Sequence, residues 1–513
     1  MFEAVVMQGS SVVGRELLDT AALCGHLVPA GSVYALLAEH RKRLFPDEMF
    51  ADLFPSGRGR PSVPADVIAT AMVLKELEGL SDRQAAAALS RDIAWKAACG
   101  LALDAAAFDP SVFVYWRRRL NASDRPHRID EAVKDVARQT GVLNGRARRA
   151  LDSTVLDDAV ATQDTVTQLV AAIRKVRKLV PEAAHVPVTA HDYDEGGKPD
   201  CAWDDEIARD ALVSALVADA LAIIAALEAV TLTDEQQSAV ALLALVAGQD
   251  VEPGDEPGTW RIARAVAKDR VVSVEDPESR HAHKSRASYR DGYKAHIAAE
   301  PETGLITANT LTAGNTPDGD AVDELLADED GSVEVLGDAA YASGRTRQGL
   351  DDAGHAVTIK PPPLRRVVPG GFDRDDFVVD HDAGMVTCPN NVTVPLTAKG
   401  YAYFERFCRG CPVRDRCTIS ARGRKLHVGP HDRLLVAARA QARTDEFADR
   451  YRHRSLVERS IAWLAADGHR RCRYRGIKPN QLGLSLRVAA VNLRRLLSLG
   501  LTYDGAWTIA TAA

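Results

Sequence analysis

Three acidic residues are the first candidates for chemistry: Asp152 in RRALDSTVLDD, Asp338 in SVEVLGDAAYAS and Glu458 in YRHRSLVERSIAWL. Mg²⁺ takes oxygen ligands and keeps several of its waters, so a few carboxylates suffice to bind it. Two such ions roughly 3.5–4 Å apart can serve both the attacking and the leaving oxygen of a phosphoryl transfer. Three close carboxylates repel one another unless cations or arginines neutralise them.

Glu458 is surrounded in the sequence by positive charge, from Arg450, Arg452, Arg454 and Arg459. Two interpretations are open at this point. The segment could be a surface helix with ordinary i,i+4 ion pairs, such as Arg454–Glu458. Alternatively, Glu458 is a catalytic carboxylate whose basic neighbours bind a polyanion.

Strand patterns predict how the first two acids are positioned. Apolar residues on both sides of Asp152 predict a short strand that contains this carboxylate. Residues 333–336 predict a buried strand that ends at Asp338. One acid at the end of a strand is usually structural, but several acids on one scaffold indicate a site.

A helix is predicted to position the third acid. The sequence predicts this helix over residues 451–465. On a regular helix Tyr451, Arg454 and Glu458 stand at i, i+3 and i+7, which is one face. Such a face could offer a metal ligand and phosphate contacts together.

The rest of the chain alternates between helical and strand-rich stretches. Residues 1–145 are predicted to be mostly helical, and Gly79 and Ser81 mark a turn between two helices, the outline of a helix-turn-helix. More helices are predicted within 165–248. GYKAHIAAE, PETG and LITANTLTAGN predict a β-hairpin, AVTIK predicts another strand, and 481–499 predicts the last helix. The sequence therefore predicts an α/β fold.

Charge is distributed unevenly along the 513 residues, although the formal net charge is only −7. Residues 151–260 contain 6 Lys and Arg against 21 Asp and Glu, whereas residues 401–499 contain 22 against 8. Such asymmetry is typical of a protein that binds nucleic acid with one part. The alternative is that the two regions bind each other electrostatically. The hydrophobic content of 46% is that of a globular protein, and the length predicts several domains.

Four of the eight cysteines are spaced like zinc ligands: Cys388, Cys408, Cys411 and Cys417. His427 and His431 are spare ligands nearby. A cluster of reduced thiols is the alternative to a zinc site. The other cysteines are predicted to be isolated thiols: Cys24, Cys99, Cys201 and Cys472.

Three histidines in and around RHAHKSRASYRDGYKAH are assigned no catalytic role: His281, His283 and His296. They are predicted to belong to a basic loop that enters a strand. The start of the sequence lacks the pattern of a secretory signal. The run 211–227 is short and contains Asp219, which favours a buried helix over a membrane span. We therefore expect a cytoplasmic protein that makes no contact with membranes.

Taken together, these motifs resemble those of the DDE transposases of bacterial insertion sequences, over nearly the whole chain. GRPSVPADVIATAMVLKELEGLSDRQAAAAL is similar to the N-terminal domain of InsH-like transposases, and DSTV to the strand with the first catalytic Asp. GYKAHIAAEPETGLITANTLTAGNTPD is similar to the second and third strands of the family. LGDAAYAS has the D-x-x-Y pattern of the second Asp, and YRHRSLVERSIAWL has the Y-x2-R-x3-E signature.

One position departs from the family pattern. The full signature ends in a lysine seven residues after the Glu, and this chain has Ala465 there. The resemblance implies that Tyr451 and Arg454 contact DNA. One of several basic residues in HRRCRYRGIKPNQ could replace the lysine: Arg470, Arg471, Arg473, Arg475 and Lys478.

The resemblance implies an RNase H-like mixed sheet flanked by helices, with an N-terminal all-α domain and two insertions. The N-terminal domain would bind DNA or dimerise, one insertion would be helical, and the other would be Cys-rich and could bind structural Zn²⁺. The implied boundaries are 1–145 for the N-terminal domain, 146–160 with 285–362 and 440–500 for the core, 161–284 for the helical insertion, and 363–439 for the Cys-rich insertion.

The activity that the resemblance implies is DNA transposition. The chain would bind the terminal inverted repeats as a homodimer, cut the transposon ends and join their 3′-OH groups to target DNA. Asp152, Asp338 and Glu458 would hold two Mg²⁺ or Mn²⁺ ions. Two rival functions remain open from the sequence: a transposase-derived DNA-binding protein without catalysis, and a metal-dependent DNA nuclease.

Overall fold

A computed structural model describes residues 6–11, 18–285 and 288–510 of the chain. The start of the chain, where no secretory signal is expected, lies largely outside these residues, as does the side chain of His283. Among the described residues, no helix is long and apolar enough to cross a membrane.

A mixed six-stranded sheet forms the centre of the molecule and confirms the predicted α/β class. Its strands are β1 (Arg148–Asp157), β2 (Arg280–Ser285), β3 (Ser288–Ala299), β4 (Ile306–Ala313), β5 (Glu334–Gly337) and β6 (Ala356–Ile359). The strand order is β6–β5–β1–β3–β2, and β4 also pairs with β3. β5 runs parallel to β1 and to β6. β3 runs antiparallel to β1, β2 and β4.

The predicted hairpin is confirmed as β3 and β4, and Gly304 in its turn has a φ of 73°. The prediction that RHAHKS belongs to a basic loop is wrong, because these residues form β2. The segment alternates poorly between apolar and polar residues, but its backbone pairs with the first half of the long strand β3. Pairing satisfies backbone groups whatever the side chains are, so this strand has little signal of its own.

Among the described residues, seven α-helices lie before β1: Thr20–Cys24, Val33–Leu44, Ala65–Leu77, Asp82–Arg91, Ile93–Cys99, Ser111–Ala122 and Arg128–Gln139. The predicted helix–turn–helix outline is confirmed in Ala65–Leu77 and Asp82–Arg91. Gly79 between them has a φ of 67°, in the left-handed region that glycine adopts at helix ends. Ser81 and Gln84 then form a capping box that begins the second helix.

Helices between β1 and β2 pack around a separate apolar cluster: Thr165–Leu179, Pro181–Ala184, Glu206–Ala226 and Asp234–Gln249. Asp219 lies buried in the longest of them. Its carboxylate accepts hydrogen bonds from the backbone N–H of Thr189 and Ala190 and from the Tyr193 hydroxyl, all at 2.9 Å. The acid inside this apolar helix therefore fastens the loop that precedes the helix.

The chain from 363 to 441 contains short strands and little helix. Its strands are Val378–Asp380, Met385–Thr387, Thr393–Pro395, Tyr401–Tyr403 and Lys425–His427, and its helices are Arg414–Cys417 and Asp432–Gln441.

Smaller elements occur elsewhere: helices Val322–Leu326 and Gly344–Asp352, and strands Val6–Met7, Arg60–Pro61, Val251–Pro253, Trp260–Ile262, Leu501–Tyr503 and Trp507–Ile509. Short 3₁₀-helices are Gly25–Leu27, Asp47–Leu53, Asp318–Ala321, Ala339–Tyr341 and Glu405–Phe407.

The prediction of one continuous helix over 451–465 is wrong. The chain forms a helix at Asp445–Tyr451, a 3₁₀ turn at Arg452–Leu456 and a new helix at Val457–Ala465. Within the turn, the Ser455 hydroxyl donates to the carbonyl of Arg452 at 3.0 Å. Such local bonds compete with the α-helical pattern. The residues of the Y-x2-R-x3-E signature therefore do not share one regular helical face.

The last helix, Ile477–Ser498, joins two parts of the molecule. Its apolar residues belong partly to the cluster of the N-terminal helices and partly to the cluster against the sheet. Asn492 also bonds both backbone groups of Ile306 in β4, at 3.0 and 2.9 Å. The domain boundaries inferred from the sequence stay predictions, because this helix contributes to both cores.

His469 provides a test of this packing through pH. Its Nε2 lies 2.7 Å from the Glu76 carbonyl, at the end of an N-terminal helix. Burial lowers the pKa of His469 to about 4, despite the nearby Glu76 carboxylate.

Because the unfolded pKa is near 6.5, the stability that a neutral His469 provides is complete above that pH and is lost towards pH 4. Between pH 7 and pH 5, we expect the contribution of His469 to the free energy of unfolding, measured in urea, to fall by about 2 kcal/mol. His469→Gln should remove that part of the fall, and His185→Gln, at an exposed position, should not. An equal fall in the wild type and in His469→Gln would contradict this assignment.

Candidate active site

Asp152 projects from the middle of β1, where it pairs with Ile297 of β3. Its side chain is 14% exposed. Burial raises the pKa of Asp152, and the charges of Asp338 and Glu458 act in the same direction, while Arg454 opposes them. This carboxylate is therefore held in surroundings that disfavour its own charge.

Asp338 directly follows β5 and begins the 3₁₀ turn Ala339–Tyr341. One carboxylate oxygen accepts the backbone N–H of Ala340 at 2.8 Å. The sheet register explains why this acid meets Asp152. Ala150 pairs with Leu336 in the parallel pair β1–β5, so each acid lies two residues beyond a paired position. Neighbouring parallel strands thus deliver the two carboxylates to the same level of the sheet.

Glu458 lies in the first turn of the helix Val457–Ala465, and its side chain is 64% exposed. The apolar side of this helix, including Val457 and Leu464, packs against residues of the sheet. The Ser460 hydroxyl also donates to the Gly304 carbonyl in the β3–β4 turn, at 3.0 Å. The helix is therefore anchored to the sheet on one side and presents Glu458 on the other.

The Arg454 guanidinium joins the three acids. One of its terminal nitrogens lies 3.2 Å from Asp152 and 3.8 Å from Asp338, and the other lies 2.8 Å from Glu458. The i,i+4 pair of Arg454 and Glu458 does exist, but the same arginine also contacts acids from two distant strands. This cluster, which we call the carboxylate cluster, consists of Asp152, Asp338, Glu458 and Arg454.

The donors of the carboxylate cluster suit a hard divalent cation, since all three acids supply oxygen ligands. Among the described residues, however, no three Asp, Glu, His or Cys side chains form a group that could hold a metal as they stand. The acids face the guanidinium instead, which neutralises part of their repulsion. The Arg454 Nε is buried without a hydrogen-bond partner, so the guanidinium is incompletely satisfied in this position.

Two further groups border the cluster. Tyr451 is partly buried, stacks on Phe447 with ring centroids 5.4 Å apart, and has a pKa raised by burial. Asp318 was not singled out from the sequence: it accepts from the Ser153 hydroxyl at 2.8 Å and from Lys294 at 2.6 Å. Only the proximity of β1, β3 and the turn after β4 reveals this contact, because the isolated NTPD segment reads as an ordinary turn.

The basic residues that could replace the signature lysine have different environments. Arg473 donates to the Leu80 carbonyl at 2.5 Å and also to the Gly79 carbonyl, in the turn between the two N-terminal helices. The other four of these basic residues are exposed. Arg475 pairs with Glu275 at 2.6 Å, Arg471 donates to a backbone carbonyl of Asp158 at 3.2 Å, and Arg470 and Lys478 are exposed as well. Ala465 itself is buried, 7% exposed, at the end of its helix.

The four spaced cysteines line one small cavity of about 20 Å³: Cys388, Cys408, Cys411 and Cys417. His427 and His431 do not line it. Burial raises the pKa of the Cys417 thiol, and the other three cysteines act in the same direction. The backbone N–H of Arg424 points at the Cys408 sulfur, 3.4 Å away. The four cysteines thus border one cavity, although the described residues contain no group set to hold a metal as they stand.

The predicted isolated thiols form no disulfide bonds, and the two histidines whose side chains are described contact other side chains. All eight cysteines are free in the structure. The His281 ring contacts Asp291. His296 is fully buried, bonds the Thr312 hydroxyl at 2.9 Å and has a pKa lowered to about 4 by burial. The side chains of His281 and His296 therefore both bond other groups of the protein.

Two family models match parts of the chain. One, described as transposase DDE domain, matches residues 387–497, and the other, described as transposase domain (DUF772), matches residues 24–119. The first range contains Arg454 and Glu458, whereas Asp152 and Asp338 lie outside both ranges. No curated protein matches the chain significantly.

Together the two matches indicate a DDE transposase of the insertion-sequence type. They confirm the resemblance drawn from the sequence motifs. Transposases act on DNA, and members of the DDE family typically use a divalent metal.

The surroundings of Asp152 lead to a prediction about stability. Its raised pKa means that the charged form is disfavoured in the folded protein relative to the unfolded chain at neutral pH. Asp152→Asn keeps the shape and removes the charge, so it should raise the free energy of unfolding by roughly 0.5–2 kcal/mol. Urea denaturation at pH 7 with a chelator measures this change.

Glu458→Gln is the control for Asp152→Asn, because Glu458 is mostly exposed. Its effect on stability should stay within about 0.5 kcal/mol. Destabilisation by Asp152→Asn would mean that the ion pair with Arg454 outweighs the burial of the carboxylate.

Proposed function

We propose that this protein is a DNA transposase that cuts transposon ends and joins them to target DNA. The observation that carries the proposal is the carboxylate cluster, in which acids separated by up to 306 positions meet at one guanidinium. In the first step water attacks a phosphorus atom and the 3′ oxygen leaves, which gives a 3′-OH and a 5′-phosphate. In the second step that 3′-OH attacks a phosphorus atom of target DNA and displaces another 3′ oxygen.

The core is proposed to have an RNase H-like arrangement. Support comes from the order β4–β3–β1–β5–β6, with β3 antiparallel and β5 and β6 parallel to β1. The proposed domains keep the boundaries implied by the resemblance: an N-terminal domain, a discontinuous core, a helical insertion and a Cys-rich insertion.

The carboxylates Asp152, Asp338 and Glu458 would hold two Mg²⁺ or Mn²⁺ ions. When bound, such ions activate the attacking oxygen and neutralise charge on the leaving oxygen. Their hard oxygen donors and their convergence support this role, and the partly unsatisfied Arg454 supports a guanidinium that can leave them. Once the acids turn away, Arg454 is free to bind a DNA phosphate beside the cluster.

Other residues of the chain would bind the DNA backbone. Tyr451 lies beside the carboxylate cluster, and Arg470, Arg471 and Lys478 are exposed on the basic segment that follows the Glu458 helix. Lysine and arginine side chains that neutralise phosphates make binding fall steeply with salt. The proposed ligands are the terminal inverted repeats and target DNA, bound by a homodimer.

The Cys-rich insertion is proposed to bind one structural Zn²⁺ through Cys388, Cys408, Cys411 and Cys417. The shared cavity and the backbone N–H directed at the Cys408 sulfur support it, because zinc thiolates commonly accept such bonds. Left-handed backbone follows two of these cysteines, at Asn391 with a φ of 56° and Gly410 with a φ of 74°. These left-handed positions mark tight turns beside Cys388 and Cys408.

A transposase-derived DNA-binding protein and a plain DNA nuclease are the alternatives. The retention of all three acids at one place favours a catalyst over a binding protein. Joining of ends to a second DNA distinguishes a transposase from a nuclease.

The test of catalysis uses a matched pair of glutamates. Glu446 pairs with Arg450 at i,i+4, as Glu458 pairs with Arg454, but Glu446 lies on the preceding helix and is not part of the carboxylate cluster. Glu458→Gln should bind end DNA within about threefold of wild type and lose cleavage and strand transfer by at least about 100-fold. Glu446→Gln should keep both reactions.

A gel-shift titration and a strand-transfer assay with Mg²⁺, on the same preparations, measure these effects. Full cleavage by Glu458→Gln would remove Glu458 from the site and return its helix to an ordinary surface helix. Cleavage without joining by the wild type would favour the nuclease.

The zinc proposal has a separate test. Protein purified under reducing conditions should contain about one zinc per chain by elemental analysis, bound by four thiolates. Cys408→Ser should lower the content and the thermal stability, whereas Cys201→Ser, at an isolated thiol, should change neither. A metal-free wild type of unchanged stability in zinc-containing buffer would favour the reduced thiols.

A further inference from the structure

Arg487 is a buried arginine in the middle of the last helix, with only 2% of its surface exposed. Its guanidinium reaches the ends of two other helices. At the end of Ala65–Leu77 it donates to the carbonyls of Glu76, at 2.7 Å, and Leu77, at 3.1 Å. At the end of Val457–Ala465 it donates to the carbonyls of Trp463, Leu464 and Ala466, at 2.6, 3.2 and 3.3 Å.

These acceptors are the carbonyls that an α-helix leaves without partners at its C-terminus. A positive charge at this end also interacts favourably with the helix dipole. Arg487 therefore acts as a shared cap that fixes the ends of two helices to one guanidinium. If either helix shifted, buried carbonyls would lose their donors, at a cost of about 1–3 kcal/mol each.

The two capped helices belong to different machinery of the proposed function. Ala65–Leu77 is the first helix of the helix–turn–helix outline, and Val457–Ala465 carries Glu458. Two more contacts strengthen the connection. Arg473 donates to the carbonyls of Leu80 and Gly79, and His469 bonds the Glu76 carbonyl.

Close backbone packing completes the contact between the two parts. A Cβ built at Gly79 would lie 2.0 Å from the backbone oxygen of Asp467, so the turn sits directly on the loop after the Glu458 helix. Asp467 also accepts from Arg487 at 3.0 Å. We call this contact the helix joint, consisting of Arg487, Arg473, His469, Gly79 and Asp467.

We propose that Arg487 and Arg473 are positioning residues that hold the helix–turn–helix at a fixed offset from Glu458. The inference rests on the proposed function. A fixed offset lets the protein bind a repeat with its N-terminal helices and place one particular phosphate at the carboxylate cluster. Loosening the joint should preserve binding while the position of the cut becomes variable.

Arg473→Gln and Arg487→Lys test this proposal in the full-length protein. Arg473 is only partly buried, so its variant should fold, and Arg487→Lys keeps the charge but cannot reach both helix ends. Arg128→Lys is the control, because Arg128 is equally buried but bonds only within the N-terminal helices and their loops. Cuts in end-labelled repeat DNA are mapped to the nucleotide, and binding is measured by gel shift.

Arg473→Gln should bind within about threefold of wild type, cleave at least tenfold more slowly and cut at several neighbouring phosphates. Arg487→Lys should show the same spread of cuts in a milder form. Arg128→Lys should lower stability and leave the cut at one position. An unaltered single cut in Arg473→Gln, or a uniform loss of binding with no spread, would overturn the proposal.

A second measurement separates this proposal from the proposed function. Spin labels at exposed Ser90 and Arg452 report the distance between the two parts without DNA. The distance distribution should broaden in Arg473→Gln and stay narrow in Arg128→Lys. A distribution that stays narrow in Arg473→Gln overturns the joint whether or not the wild type cuts DNA. A wild type that cuts no DNA overturns the proposed function instead.

Discussion

The contact of one guanidinium with three carboxylates is the interaction on which the rest of this structure depends. Asp152, Asp338 and Glu458 come from a strand, a strand end and a helix, and each would repel the others if left alone. Arg454 allows them to coexist before any cation is present. The break in the helix before Glu458 belongs to the same arrangement, because it places Arg454 in a 3₁₀ turn beside the acids. Arg454 therefore offsets part of the repulsion that the convergence of the three acids creates.

The contact between the N-terminal helices and the helix that carries Glu458 depends on hydrogen bonds to backbone carbonyls. Within the helix joint, helix ends are bonded by arginines and a neutral histidine in addition to being packed by apolar side chains. Directional hydrogen bonds define an orientation, whereas apolar packing tolerates sliding. A protein that must bind DNA at one place and act on it at another benefits from such a defined orientation. Within the part of the chain that the structure describes, the helices between 165 and 249 take no part in the helix joint, and their apolar cluster is separate.

Much of the core could be predicted from the sequence, since the strands that carry Asp152 and Asp338 have apolar runs and the β3–β4 hairpin has a clear turn. Features set by distant partners could not. β2 exists because β3 offers it an edge, and the helix over 451–465 breaks at a local Ser455 bond that periodicity does not reveal. Arg487 looks like a surface residue in an apolar helix, because its acceptors lie up to 411 positions away. The meeting of the acids was inferred from the family resemblance, and the register of β1 and β5 gives its physical cause.

That register also determines which changes in chain length the site can absorb. Side chains alternate between the two faces of a sheet, so one residue added or lost within β1 before Asp152 would turn this carboxylate to the opposite face. The connection from β1 to β2 is free of this constraint, because β1 is aligned by β3 and β5 and not by the segment that follows it. More than a hundred residues occupy that connection without disturbing the acids. Lineages of this protein could therefore exchange, enlarge or discard the helical region, while the few residues of the central strands must keep their count.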